Sequence, residues 1–137
     1  MIFIDTGAFL ARYVAADQFH HPATMLWADL ENRGERCVTS NFVLSETATL
    51  LGRRAGHQFA ALRLRNIYAS KAMEVWRSDG EDELRALKWF AKYSDQKVSF
   101  TDCVSFVLMK SGQVKEVFSF DRHFDLAGFR RMPTAIS

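Results

Sequence analysis

Proline and cysteine are both scarce, with two of each in 137 residues. So few prolines leave little to interrupt helices or strands. The cysteines, Cys37 and Cys103, stand apart in apolar surroundings and form no CxxC pair. That excludes a zinc or dithiol motif and points to buried free thiols in a reducing compartment. No run of about 18 apolar residues occurs, so nothing reads as a membrane-spanning helix. The N-terminus, Met1-Ile2-Phe3-Ile4-Asp5, has no basic stretch and carries an early acid. It is unlike a secretory signal, and a cytoplasmic location is expected. Neither sign of charge dominates: the net charge of +2 and pI near 8.7 permit a nucleic-acid partner without demanding one. There is no glycine-rich phosphate loop, no nucleophile elbow, no internal repeat and no linker.

What the chain does have is 48% hydrophobic residues, including 12 phenylalanines, against 25% charged ones. Residues 1–137 are expected to form one domain with a real core. The chain opens on an apolar strand, Ile2-Phe3-Ile4, followed by Asp5-Thr6-Gly7 and a helix over Ala8 to Val14. A second helix opens at His20-His21-Pro22, turns Met25, Leu26 and Leu30 to the core, and ends at Asn32-Arg33-Gly34. Cys37-Val38-Thr39 reads as a strand, and Ser40-Asn41 caps a helix from Phe42 to Arg54. After Gly56, a helix from His57 to Ser70 has Phe59, Leu62 and Ile67 on its apolar side. Met73 to Trp76 is a third strand, and Glu81 to Tyr93 a helix whose early acids suit its dipole.

The most informative stretch comes last. Thr101 is placed to cap a helix that carries Asp102 in its first turn and stops at Gly112. Val117, Phe118 and Phe120 then make a short strand running into Asp121, and a weak fifth strand is expected near Met132-Pro133-Thr134. Strands separated by helix pairs require crossovers. The expected fold is a three-layer α/β/α domain around a parallel sheet of four to five strands.

In such a sheet Asp5, Asp102 and Asp121 all fall at the carboxyl edge, where open α/β sheets bind ligands. Glu46, one turn into the helix after the second strand, can point over the same edge. Each acid alone has a plainer account: Asp5 as a helix cap, Glu46 as a solvated side chain. Together they would repel one another unless a hard divalent cation held them, and carboxylate oxygens suit Mg²⁺ or Mn²⁺. Water on such a cation, facing a phosphodiester, gives metal-assisted hydrolysis. Arg53, Arg54, Arg63 and Arg65 form the densest basic region, a candidate for phosphate contacts or simply a solvated face.

Ile4-Asp5-Thr6-Gly7, Ser45-Glu46, Phe100-Thr101-Asp102-Cys103-Val104-Ser105-Phe106 and Phe118-Ser119-Phe120-Asp121-Arg122-His123-Phe124 occur in that order. The set resembles the signature of PIN-domain ribonucleases, and more narrowly of the toxins of VapBC-type toxin–antitoxin modules. The resemblance runs from Asp5 to Phe124. It implies that Asp5, Glu46, Asp102 and Asp121 are the catalytic, metal-holding acids, with Thr6 and Thr101 in support. It also implies Mg²⁺ or Mn²⁺, RNA as substrate, a homodimer, and an antitoxin seated in the active-site groove. Other readings fit less well. A haloacid-dehalogenase phosphatase needs a second Asp where Gly7 stands, and a response-regulator receiver needs its acceptor Asp earlier than Asp79. A non-catalytic RNA-binding or scaffolding domain of the same fold is the remaining alternative.

Overall fold

The computed structural model describes residues 1–134. Five strands, β1 (Ile2–Ile4), β2 (Cys37–Ser40), β3 (Met73–Trp76), β4 (Glu116–Phe118) and β5 (Arg130–Met132), form one sheet in the order β3-β2-β1-β4-β5. Every pairing is parallel. The helices are α1 (Thr6–Tyr13), α2 (His20–Asn32), α3 (Asn41–Ala55), α4 (His57–Ala69), α5 (Gly80–Lys92), α6 (Phe100–Ser111) and α7 (His123–Leu126). Among the described residues no helix is long and apolar enough to cross a membrane.

The chain walks outward from β1 to β2 and β3, then returns across β1 to lay down β4 and β5. With right-handed crossovers, that reversal sends α5 and α6 to the opposite face from α1 to α4. The reversal also opens a crevice between the carboxyl ends of β1 and β4, the switch point at which such sheets bind ligands. Strand β1 lies mid-sheet and is wholly buried, which is why it reads as an unbroken apolar run. Thr39 Oγ1 donates to the Ile4 carbonyl at 2.8 Å and stitches β2 to β1 just before Asp5.

Local chemistry sets the helix starts. Ser40 Oγ accepts from the Val43 N–H at 3.1 Å, and a reciprocal box between Asp79 and Asp82 starts α5. Helix α6 is capped by Ser99, whose Oγ accepts from the Asp102 N–H at 3.0 Å, and not by Thr101, which lies inside the helix. Gly56, at φ +96°, makes the turn between α3 and α4. Gly112 does end α6, but for lack of space: a Cβ there would lie 2.3 Å from the Trp76 ring.

The expected apolar faces need two corrections. Met25 and Leu62 are 62% and 52% exposed, so α2 and α4 turn them away from the core. Helix α6 has no single apolar face: residues 102 to 109 are buried all round, with α5, α3 and α7 packed against it. Phe120 lies past the end of β4, and the fifth strand starts at Arg130, before the Met132-Pro133-Thr134 segment. Both cysteines are free and buried, and burial pushes each thiol up to about 11.

Candidate active site

Parallel pairing dictates the site. Phe3 pairs with Val117 and Ile4 with Phe118, so the next residues in register are Asp5 and Ser119. Ser119 Oγ donates to Asp5 Oδ2 at 2.7 Å and accepts from the Asp121 N–H at 3.0 Å. One buried hydroxyl therefore joins the two acids that end β1 and follow β4. Asp5 occupies the N-cap position of α1, yet its side chain makes no capping bond. Its carboxylate is turned to other use, which removes the plainer account of this residue.

Asp102 reaches the same crevice from the first turn of α6. Its Oδ2 lies 3.5 Å from His123 Nδ1, and Asp121 Oδ1 lies 2.9 Å from the same nitrogen. Although the second distance is that of a hydrogen bond, the ring nitrogen is not aligned to make one, and it is left without a partner. The His123 N–H does donate to Asp121 Oδ1, at 2.9 Å. Asp102, Asp121 and His123 present ligand atoms within 4.8 Å of one another.

Asp5, Thr6, Glu46, Asp102, Asp121 and His123 all line one open cleft of about 430 Å³. Lys97 lines it too, held at φ +56°, a left-handed conformation unusual for a lysine. Thr101 does not line this cleft; it faces an adjoining hollow that shares Glu46 and Leu50 with it. A larger hollow of about 690 Å³ lies at the opposite, amino edge of the sheet, around Arg36, Cys37 and Met73. Volume alone would favour it, but the convergent carboxyls are elsewhere, and chemistry decides.

Burial and mutual repulsion govern these acids. Asp5 and Asp102 are 5% and 6% exposed. Burial raises both carboxyls far above 3.8, Asp5 to about 7 and Asp102 to about 9. Asp121 and Glu46 add to the rise in each, and Asp5 adds to that of Asp102. The Ser119 hydroxyl acts against it at Asp5. The donor set fits a hard divalent cation: carboxylate oxygens converge, a buried Thr6 hydroxyl in the cleft has no partner, and the acids are costly to ionise without a counter-charge.

A PIN-domain family model matches residues 2–130. The chain belongs to the PIN-domain family. It is 36% identical over 129 residues to the "23S rRNA-specific endonuclease VapC20" of Mycobacterium tuberculosis, in two strains, spanning 94% of this chain and 95% of the relative. The crystal structure of M. tuberculosis VapC20, described as a sarcin–ricin-loop-cleaving toxin, superposes with a TM-score of 0.85 at 35% identity, covering 94% of this chain and 96% of that chain.

Two residues of this PIN domain's site escape a reading of the sequence. Ser119 becomes visible only with the β1–β4 register. His123 is brought back by the turn into α7, a helix too short to show a period. The arginines disperse. Arg53 and Arg65 are exposed on α3 and α4. Arg54 is bound to Asp17 at 3.0 Å, and Arg63 lies over the rings of Tyr13 and Phe59 beside the amino-edge hollow.

Replacing Ser119 by Ala tests the bridge. The change is expected to cost about 1–3 kcal/mol, because the Asp121 N–H and Asp5 Oδ2 lose a buried partner. With the hydroxyl gone, the Asp5 carboxyl holds its proton to higher pH, and the acid limb of a pH–rate profile moves up. An unmoved profile would show that Ser119 only fills space.

Proposed function

We propose that this PIN domain is a divalent-metal-dependent endoribonuclease acting as the toxin of a toxin–antitoxin pair. The observation that carries the reading is the convergence of Asp5, Asp102 and Asp121 on one cleft, two of them buried with raised pKa values. The similarity to a ribosomal-RNA endonuclease along nearly the full length of both chains supports RNA as the substrate. Mg²⁺ or Mn²⁺ is the cofactor the donor set suits, held by Asp5, Asp102 and Asp121 with Glu46 in support.

When bound, the cation would supply Lewis-acid activation of water and offset phosphate charge. The remaining work falls to the chain. Ser119 fixes one oxygen of Asp5. His123, whose Nδ1 lies 2.9 Å from Asp121 and 3.5 Å from Asp102 and has no hydrogen-bond partner, is the side chain placed to orient or pass a proton beside these acids. Thr6 offers a free hydroxyl, while Lys97, with Arg53 and Arg65 further out, offers positive charge to RNA phosphates. The antitoxin would cover this cleft. A homodimer is part of the same reading, supported by the apolar stripe of Leu84, Leu87 and Phe90 left exposed on α5, at 64%, 49% and 45%. A cytoplasmic site of action follows from the RNA substrate.

Water as nucleophile fixes the product. A bond forms from the water oxygen to phosphorus, the bond from phosphorus to the 3′ oxygen breaks, and the 3′ oxygen takes up a proton. The ends expected are therefore 5′-phosphate and 3′-hydroxyl, read by end-labelling and mass spectrometry, with no cleavage by Asp5→Asn. A 2′,3′-cyclic phosphate as first product would mean that the RNA's own 2′-hydroxyl attacks. An RNA that binds but is never cut would support the scaffolding alternative.

A further inference from the structure

Two aromatic rings stand in the acidic cleft with no part in its carboxylate chemistry. Phe19 and Phe120 are stacked, with centroids 4.4 Å apart and planes within 4°, and both are only half-buried. Both line the cleft that holds Asp5, Asp102 and Asp121. Phe120 is fixed by its neighbours: Ser119 and Asp121 are tied together by the bond that also anchors Asp5. Phe19 comes from the loop between α1 and α2, and that loop is pinned. Asp17 Oδ1 accepts the Phe19 N–H at 2.9 Å, while Asp17 Oδ2 accepts from Arg54 at 3.0 Å, fastening the loop to α3.

Resting on the nuclease reading, we propose that the Phe19–Phe120 stack is a platform on which an unpaired base beside the scissile phosphate continues the stack. A cleft dense in carboxylates repels the backbone it must bind. Neutral rings supply affinity there without adding charge near the reacting phosphate, and every base has a π-face to offer. Paired bases are stacked in their own helix and cannot reach such a platform. The platform therefore selects a splayed nucleotide in a loop or bulge rather than a duplex. Arg54 then acts as a positioning residue for Phe19, not as a phosphate contact.

The test uses the full chain with Mg²⁺ and a hairpin RNA of the sarcin–ricin loop, the substrate of the VapC20 relative, alongside total cellular RNA. Wild type, Phe19→Leu and Phe19→Trp are compared on the hairpin and on versions carrying one abasic site on either side of the cleavage point. Phe19→Leu is expected to raise KM by roughly 5- to 150-fold with little change in kcat, and Phe19→Trp to keep KM near wild type. At one flanking position, removing the base should cost the wild type a similar factor and cost Phe19→Leu nothing more, a non-additive pair. A wild-type KM in Phe19→Leu, or penalties that multiply at both positions, overturns the proposal. If Phe19→Leu fails to fold, the abasic series on wild type and Phe19→Trp decides, since equal cleavage of all the abasic hairpins also overturns it. If even the wild type cuts neither the hairpin nor the cellular RNA, the nuclease reading and this one fall together. Cleavage indifferent to Phe19 overturns this one alone.

Discussion

Asp102→Asn is expected to lose RNA cleavage by at least about a thousandfold while the metal-free protein stays as stable or becomes more stable. Asp102 is 6% exposed and faces Asp5, Asp121 and Glu46. Burial, then those three charges, hold its carboxyl well above the ordinary range, so folding without a cation binds a proton or buries a repelled charge. An amide of the same shape avoids both costs. The start of α6 is untouched, because Ser99 caps the backbone N–H of residue 102 and not its side chain. If Asp102 were only a first-turn acid on a helix, the substitution would instead cost up to about 1 kcal/mol and leave activity intact. Thermal melts of both proteins in EDTA and in Mg²⁺ separate these accounts. The wild type should gain about 2.7 kcal/mol at a hundredfold excess of Mg²⁺ over its dissociation constant, and the variant should gain much less. A destabilised, active variant with an ordinary Mg²⁺ response would remove Asp102 from the site.

The metal-free protein should also lose stability as pH rises through neutrality, the reverse of a protein held together by ionised carboxylates. Asp5 and Asp102 have folded-state values of about 7 and about 9, above the 3.8 of the free side chain. Between about 4 and those values the native state binds more protons than the unfolded chain. This contribution is therefore fully present below about pH 4 and is lost progressively as pH climbs through 7 toward 9. The change is on the order of a few kcal/mol for the interacting pair, which titrates as a unit. Mg²⁺ should flatten the slope, since the bound cation takes the protons' place. Urea melts between pH 5 and 9, in EDTA and in Mg²⁺, read the effect directly. Stability rising with pH in EDTA, with Asp102→Asn tracking wild type, would mean that the carboxyls do not repel.

The order of elements is legible because short signals punctuate it: Ser40 before α3, the acids of α5 after Ser78-Asp79-Gly80, and Gly112 after α6. The parallel sheet follows from the helix pairs between strands. Three acids then fall at one edge without any knowledge of side chains, since a parallel sheet puts every strand end there. What local sequence does not carry is register and packing. Ser119 meets Asp5 across 114 residues, through a pairing that no period encodes. His123 arrives by a turn, and Ser99 displaces Thr101 as the cap by starting α6 two residues earlier than Thr101 would. The arginines look like one basic patch along the chain, but α3 and α4 fan them apart. Arg54 and Arg63 find an acid and two rings that only the fold supplies.

The central claim is that the carboxylate cleft at the β1–β4 switch point cleaves RNA with the help of a divalent cation. The most direct measurement is cleavage of the sarcin–ricin-loop hairpin by the purified protein, first in EDTA and then with Mg²⁺ restored in excess. The account predicts no cut strand in EDTA and recovery on adding Mg²⁺. Equal cleavage in EDTA and in Mg²⁺ would contradict it.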